Sequence, residues 1–167
     1  PLKPGTTAYT ARFFYLDGKP APGLDVAIHA PYREGMIKLK AIQIENDVAA
    51  AILTNPYGLD FTGLTLSVSS EEAGEPPITF SIVRKIDNNT FEIDKKLADI
   101  SVESAVARRV YSSITNSSGQ VLIPIETMGS SEFINVELYA SDGKNNYHRD
   151  FSIKNGKIEY YEEHLNW

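Results

Sequence analysis

The chain has 167 residues, 42% of them hydrophobic, including 9 Tyr, 7 Phe and 1 Trp, so it can bury a core and does not have the composition of a disordered segment. Its 16 Lys and Arg stand against 22 Asp and Glu, and the resulting formal net charge of −6 makes nucleic acid and anionic membranes unfavourable partners. The absence of Cys excludes disulfides, thiolate catalysis, Cys-ligated zinc and thioesters within the chain.

Segments rich in β-branched and aromatic residues, separated by turn residues, follow one another along the chain. Residues 7–16 are rich in Thr, Tyr and Phe, which favour strands. Residues 24–28 alternate apolar with polar side chains, which is typical of a strand with one solvent-exposed face. The segments predicted as strands are 7–16, 24–28, 36–44, 48–53, 59–68, 78–83, 91–93, 97–102, 106–114, 121–125, 133–139, 147–153 and 157–161. A short helix is the alternative for 48–53 and for the stretch 94–109, where Leu97, Ile100 and Val106 would share a helix face. This pattern predicts an all-β protein with an immunoglobulin- or fibronectin-like antiparallel β-sandwich.

Two kinds of turn sequence lie between these predicted strands. The pentapeptide Thr-Asn-x-x-Gly occurs at residues 54–58 and again at 115–119, where Asn and Gly are expected to supply the unusual backbone angles of a tight turn. Asp142-Gly143 and Asn155-Gly156 each predict a hairpin, because both dipeptides favour the tight turns that join antiparallel strands. We also expect the C-terminal Trp167 to pack back onto the sandwich or into a neighbouring domain, since an exposed Trp is unfavourable.

The repeated pentapeptide and the turn signal at 87–89 suggest two small sandwich modules in tandem, residues 1–87 and 88–167. One large sandwich over 1–167, with a hairpin inserted between Ala30 and Tyr111, is the alternative. The tandem arrangement predicts two cores. The first core contains Phe13, Tyr15, Val26, Ile28, Phe61, Leu64, Phe80 and Ile82, and the second contains Leu122, Ile125, Ile134, Val136, Leu138, Phe151 and Ile153.

Residues 3–86 resemble a macroglobulin-type domain, the β-sandwich module of α2-macroglobulin, complement C3 and insect thioester proteins. The resemblance is carried by Lys3-Pro4-Gly5, by the strand-turn-strand passage over 11–26 with its Asp-Gly-Lys-Pro, and by residues 54–58 and 77–82. Similar phrases occur in bacterial immunoglobulin-like adhesin repeats. Either resemblance implies a scaffold and contact surface outside the cell, and because the chain has no Cys it cannot inherit the thioester chemistry.

The sequence contains no recognisable catalytic or metal-binding motif. His29, His148 and His164 lie far apart without zinc-ligand spacing, and no Ser stands in a nucleophile motif. The acidic pairs Glu71-Glu72 and Glu162-Glu163 lack a converging set of ligands, and the calcium-like loop 142–146 lacks a bidentate Glu. We therefore predict no enzyme activity, no cofactor and no metal. Whether the sequons at Asn88 and Asn116 are glycosylated stays open.

The predicted function is that of a non-enzymatic extracellular or cell-surface β-sandwich module, a scaffold and adhesion surface that binds a protein partner. Edge strands and the Pro- and Gly-rich loops are the expected contact regions. The candidate contact residues are Lys19, Pro20, Pro22, Glu71, Glu72 and Glu75. The alternatives are a carbohydrate-binding domain, with Tyr9, Tyr15, Tyr57, Tyr139 and Trp167 stacking on sugars, or a structural piece of a phage or secretion machine. Since the first residue is Pro1, we expect a fragment of a larger multidomain chain, and we expect no membrane insertion.

Overall fold

The computed structural model describes residues 5–31, 37–69, 77–95, 105–126 and 132–167. Within these ranges the chain forms twelve strands and no helix, which confirms the all-β prediction. The strands are β1 (Thr7–Phe14), β2 (Asp25–Ala30), β3 (Ile37–Glu45), β4 (Val48–Leu53), β5 (Thr65–Val68), β6 (Ile78–Lys85), β7 (Thr90–Ile93), β8 (Ala105–Ile114), β9 (Gln120–Ile125), β10 (Phe133–Ser141), β11 (Asn146–Lys154) and β12 (Ile158–His164). The predicted strand at 97–102 lies outside the described residues.

In the described ranges, no helix has the length and apolar composition needed to cross a membrane.

The chain folds as two compact units, one nested in the sequence of the other. Unit 1 consists of Pro1–Glu34 and Tyr111–Trp167, and unit 2 is the segment Gly35–Val110 between them. This division differs from the predicted tandem modules, whose boundary at residue 87 falls in the turn between β6 and β7 inside unit 2. The alternative of an insertion between Ala30 and Tyr111 comes close to these limits, but the inserted segment holds several strands rather than a hairpin. It also follows that residues 3–86, which resemble a macroglobulin-type domain, do not form one compact unit.

Unit 1 is a β-sandwich of two sheets, as predicted. One sheet has the order β12-β1-β9, and the other has the order β11-β10-β2, continued by the part of β8 in this unit. The pairings are antiparallel except for β1 with β12, which run parallel with Ala8 opposite Ile158. The hairpin predicted at Asp142-Gly143 is confirmed as the β10–β11 connection. The hairpin predicted at Asn155-Gly156 is wrong, because β12 leaves β11 and pairs with β1 in the opposite sheet.

The core of unit 1 draws on both ends of its sequence. Phe13, Val26 and Ile28 pack in the same cluster as Val136 and Leu138, so the prediction that they belong to separate cores is wrong. The physical reason is that β1 pairs with strands near the C-terminus, which local sequence patterns do not reveal.

Leu122 and Ile125 were both predicted to belong to the second core, but only one of them is buried. Leu122 is 46% exposed, whereas Ile125 is buried. The two are three residues apart, and in a strand such residues face opposite sides of the sheet. Trp167 packs on the core of unit 1 as expected, with its ring centroid 6.3 Å from that of Tyr15.

Unit 2 is a closed ring of six strands in the order β8-β3-β4-β7-β6-β5, and β5 returns to pair with β8. Ala107 of β8 lies opposite Ile37 on one side and Val68 on the other, which closes the ring. Phe61, Phe80 and Phe91 are among its fully buried side chains. The predicted strand 59–68 is shorter than expected, because residues before Thr65 form turns. A closed ring leaves few unpaired strand edges, so unit 2 offers little backbone to a partner.

The two Thr-Asn-x-x-Gly segments form the same hydrogen-bonded turn, one in each unit. The Gly58 and Gly119 amides donate to the carbonyl oxygens of Asn55 and Asn116, at 3.2 and 2.9 Å. Each Asn side-chain oxygen also accepts from the amide four residues on, Leu59 at 2.9 Å and Gln120 at 3.0 Å. Within these two segments, Gly58 and Gly119 have positive φ and the Asn residues do not. The Asn residues therefore contribute hydrogen bonds rather than the unusual backbone angles that the sequence suggested.

Gly119 brings its turn into direct contact with β1. Its φ is +74°, and a Cβ there would lie 2.6 Å from the carbonyl oxygen of Phe13 and 2.9 Å from the amide nitrogen of Ala21. The Phe13 amide donates to the Gly119 oxygen at 2.8 Å, so the two backbones are held too close for any side chain. Glycine is required at this position for both conformation and space.

We predict that Gly119→Ala destabilises the protein by roughly 3 kcal/mol or more, since backbone strain and overpacking add. The matched control is Gly143→Ala, where φ is +91° but a Cβ would meet no atom within 4 Å. The control should lose only the strain, about 1–2 kcal/mol. Urea unfolding of both variants measures the difference, and equal losses would contradict the close contact.

Candidate functional site

The described chain buries one carboxylate, Glu163, deep in the inner face of unit 1, where its side chain is 1% exposed. Strand alternation explains the position, because Glu163 and its neighbour Glu162 must face opposite sides of β12. Glu163 accepts four hydrogen bonds: from the Tyr9 hydroxyl at 2.8 Å, the Tyr147 hydroxyl at 3.0 Å, and Arg149 Nε and Nη2 at 2.8 and 2.6 Å. We call these four residues the Glu163 cluster.

Aromatic rings flank the guanidinium of the cluster, and 34% of the Arg149 side chain is exposed to solvent. Arg149 Cζ lies 3.9 Å from the ring centroid of Phe151 and 5.3 Å from that of Tyr161, both cation–π distances. Tyr9 in turn stacks on Tyr161, with centroids 5.4 Å apart. Side chains from β1, β11 and β12 therefore shield the carboxylate of the ion pair, while its guanidinium reaches solvent on one side.

The pKa values of both tyrosine hydroxyls in the cluster are raised. Burial, and then the negative charge of Glu163, raises the pKa of Tyr147 to about 12. The same two causes raise the pKa of Tyr9 well above its usual range. The hydrogen bonds to Glu163 raise the pKa of Arg149 further above its already high value. Both hydroxyls thus stay protonated and the guanidinium stays charged, as donors to one carboxylate.

The Glu163 cluster has the residue types of a catalytic site but not its geometry. The carboxylate has a donor for each of its lone-pair positions, so no oxygen is open to a substrate or metal ion. The cluster instead connects β12 and β1 in one sheet with β11 in the other. The acidic pair Glu162-Glu163 did not by itself reveal this role of Glu163, although adjacent strand residues face opposite sides and one of the two glutamates therefore had to face inward.

The predicted contact residues of the β1–β2 loop lie at the surface of unit 1. Lys19 and Pro22 are exposed and Pro20 is half-buried. The loop backbone is well held, since the Ala21 amide donates to Phe13 at 2.9 Å and the Thr115 hydroxyl donates to Ala21 at 2.7 Å. Their role in binding stays a prediction. Glu71, Glu72 and Glu75 lie outside the described residues.

The structure also locates the residues that the sequence suggested for calcium binding and for stacking on sugars. The side chain of Asp142 caps its own turn by accepting from the Lys144 and Asn145 amides at 2.8 and 2.6 Å. Tyr9 is fully buried and cannot stack on a sugar, whereas Tyr57 is exposed. Among the described residues, no group of three His, Cys, Asp or Glu side chains is placed to hold a metal ion.

The outer face of the sheet β12-β1-β9 carries exposed apolar side chains in register. Tyr160, Thr10 and Leu122 lie opposite one another across the three strands, and the neighbouring row is formed by Ile158, Ala8 and Pro124. The exposures of the large side chains are 77% for Tyr160, 46% for Leu122 and 38% for Ile158. We call these two rows the outer patch. An apolar patch on a sheet face that is usually polar is typical of an interaction surface.

Small residues occupy the central strand of the outer patch. Ala8 is completely buried although its strand position places it on this face, between Ile158 and Pro124. The Thr10 hydroxyl is also buried and has no hydrogen-bond partner among the described atoms. The next row is charged, with Arg12 between Glu162 and Gln120. The patch thus has small residues on β1 between larger ones on β12 and β9, and it ends at a charged row.

Comparisons with models of protein families, with curated proteins and with solved structures found no significant match. The macroglobulin-type and adhesin resemblances therefore stay predictions.

We predict that Glu163→Gln lowers the free energy of unfolding by about 2 kcal/mol, because it weakens the charge-assisted hydrogen bonds from Arg149, whose 34% exposed side chain can still be hydrated. The adjacent Glu162→Gln is the matched control. Glu162 is exposed and its nearest ionic contact is His164 at 3.6 Å, so this change should leave stability nearly unchanged. Equal effects of the two substitutions in urea unfolding would show that the cluster does not stabilise the fold.

The cluster also predicts loss of stability in alkali. A Tyr in the unfolded chain ionises near pH ~10, whereas Tyr147 in the folded protein ionises only at about 12. The unfolded state therefore releases its proton first, and the free energy of unfolding falls as the pH rises through this window. Tyr147→Phe should weaken that fall. Urea midpoints measured across the window would contradict the prediction if the variant and the wild type showed the same pH dependence.

Proposed function

We propose that the protein is a non-enzymatic β-sandwich module, extracellular or on a cell surface, that acts by binding a protein partner. The outer patch carries the proposal. Its exposed side chains lie in two adjacent rows of one sheet face, with Tyr160 and Leu122 on either side of Thr10 and Ile158 in the next row, and none of them belongs to the core. Aromatic and aliphatic side chains of this kind supply most of the binding energy when a partner removes them from water.

The absence of an accessible reactive group on the Glu163 cluster supports the non-enzymatic part of the proposal. A general acid or base must reach the proton that it transfers. Glu163 is enclosed and fully hydrogen-bonded, and the hydroxyls of Tyr9 and Tyr147 point their protons at its oxygens. The location outside the cell is supported only by the resemblance of residues 3–86 to macroglobulin-type and adhesin modules.

A carbohydrate-binding role has weaker support. Tyr160 could stack on a sugar ring, but Tyr15 and Tyr139 are half-buried in unit 1 and Tyr9 is fully buried. Sugar binding usually needs polar groups placed around the stacked ring, and the patch offers mainly aliphatic neighbours. A protein surface with apolar side chains matches this patch better.

Photo-crosslinking tests the proposal. A photoreactive phenylalanine replaces Tyr160 in one variant and Tyr57 in another, and each is irradiated in the native host. Tyr57 is a matched control because it is a tyrosine of similar exposure, 73% against 77%, in unit 2. We expect a defined protein adduct from position 160 that is absent from position 57, and that Leu122→Lys abolishes it.

Two results would contradict the proposal. The first is that neither position yields a protein adduct, or that both yield the same ones. The second is turnover of a glycan or peptide panel by the purified chain that is lost on substitution of a single carboxylate.

A further inference from the structure

The turn at Asn155-Gly156 carries the chain from β11 in one sheet to β12 in the other. The dipeptide Asn-Gly occurs once in the sequence. An asparagine side chain is attacked most easily by the backbone nitrogen of a following glycine, because glycine has no side chain to hinder the approach. The turn is therefore a candidate site of spontaneous chemical modification.

The reaction in question is deamidation. The Gly156 backbone nitrogen attacks Asn155 Cγ, and the new bond forms as the nitrogen gives up its proton to water or hydroxide. The bond from Cγ to Nδ2 breaks, ammonia leaves with a proton taken from solvent, and a succinimide ring remains. Water then opens the ring at either carbonyl, which leaves aspartate or isoaspartate. The attack needs a correctly oriented nitrogen and a base that can reach its proton.

In the folded protein, one buried hydroxyl holds both reacting groups. The Gly156 amide donates to Thr7 Oγ1 at 2.8 Å, and Thr7 Oγ1 donates to Asn155 Oδ1 at 3.0 Å. Thr7 is only 1% exposed. The proton that must leave the nitrogen is therefore directed at an oxygen inside the protein, where hydroxide does not reach it. A neutral hydroxyl is itself too weak a base to remove an amide proton.

These two hydrogen bonds depend on the pairing of β1 with β12. The Ala8 amide, next to Thr7, donates to the carbonyl oxygen of Lys157 at 3.1 Å, and Ala8 lies opposite Ile158. The Asn155 amide donates to Glu132 on the other side of the turn, at 2.8 Å. Opening of β12 from β1 would therefore free the Gly156 N–H while Asn155 stayed attached. Strand ends open more readily than strand centres, so this is a natural place for local opening.

We infer that Asn155-Gly156 is a latent deamidation site, which Thr7 keeps unreactive while β1 and β12 are paired and which reacts when that pairing opens. Isoaspartate routes the main chain through Cγ and so adds one backbone carbon to the turn. The Gly156 amide and the Lys157 carbonyl then no longer lie where Thr7 and Ala8 require them. The modification would record the opening of β12 irreversibly, and it requires neither a partner nor the outer patch.

Ageing the protein at mildly alkaline pH tests the inference, with and without enough urea to unfold it. Peptide mass spectrometry measures the replacement of the Asn155 amide by a carboxylate, and chromatography separates isoaspartate from aspartate. We expect the folded wild type to react roughly thirtyfold more slowly than the unfolded chain, or more slowly still, because two hydrogen bonds of ordinary strength must break before the attack.

Matched valine variants isolate the Thr7 hydroxyl. Thr7→Val removes it with little change of shape. Thr10→Val is the control, because Thr10 lies on the same strand and its hydroxyl has no hydrogen-bond partner among the described atoms. Without urea, Thr7→Val should react at Asn155 roughly thirtyfold faster than the wild type, whereas Thr10→Val should match the wild type. Thr7→Ser keeps the hydroxyl and should restore a rate close to that of the wild type.

A second measurement uses the wild type alone and does not depend on whether Thr7→Val folds. As urea is raised, deamidation of Asn155 should accelerate over the concentrations at which the Ala8 amide loses its protection from hydrogen exchange. The Ala8 amide reports the pairing because it donates to Lys157 of the turn.

Equal rates for the folded and unfolded wild type would overturn the inference, and so would equal rates for Thr7→Val and Thr10→Val. Acceleration at urea concentrations where the Ala8 amide stays protected would also overturn it, because opening of β12 would then not be required. A folded wild type that reacts faster than the unfolded chain would give Thr7 the opposite role, that of a proton relay that promotes the attack.

Discussion

A carboxylate inside a sandwich must have its lone pairs satisfied, and Glu163 achieves this with donors from two other strands. Tyr9 comes from β1 in the same sheet, while Tyr147 and Arg149 come from β11 in the opposite sheet. Because all three donors must converge on one point, the register of β12 against β1 and the stacking of β12 over β11 are fixed together. A slip by one residue would turn Glu163 to solvent and leave the Arg149 charge among aromatic rings without its partner.

The same constraint positions the surface on which function is proposed. With the odd residues of β12 directed inward, the even residues must face out, which places Tyr160 in line with Thr10 and Leu122. The buried carboxylate of Glu163 and the exposed patch are therefore two consequences of one register. Unit 2, as a closed ring, buries its backbone pairing internally and presents a different kind of surface.

Local chemistry made part of this fold predictable. The turn at Asp142-Gly143 and the paired Thr-Asn-x-x-Gly segments follow from glycine at positive φ and from short-range hydrogen bonds, which neighbouring residues determine. The partner of β12 was not predictable in this way, since Asn155-Gly156 favours a hairpin and the pairing with β1 spans almost the whole chain. The same holds for the nested position of unit 2. The outer patch was missed because Tyr160 and Leu122 look like core residues until the register decides which face each one takes.

A double-mutant cycle on Arg149 and Glu163 tests the central claim most directly. Glu163→Gln, Arg149→Met and the double variant are compared with the wild type by urea unfolding. If the pair aligns β12 with β11, the double variant should be more stable than the sum of the single losses implies, with a coupling free energy above about 1 kcal/mol. Additive losses would show that the two side chains do not act together, and would contradict the role of the Glu163 cluster in fixing the register of β12.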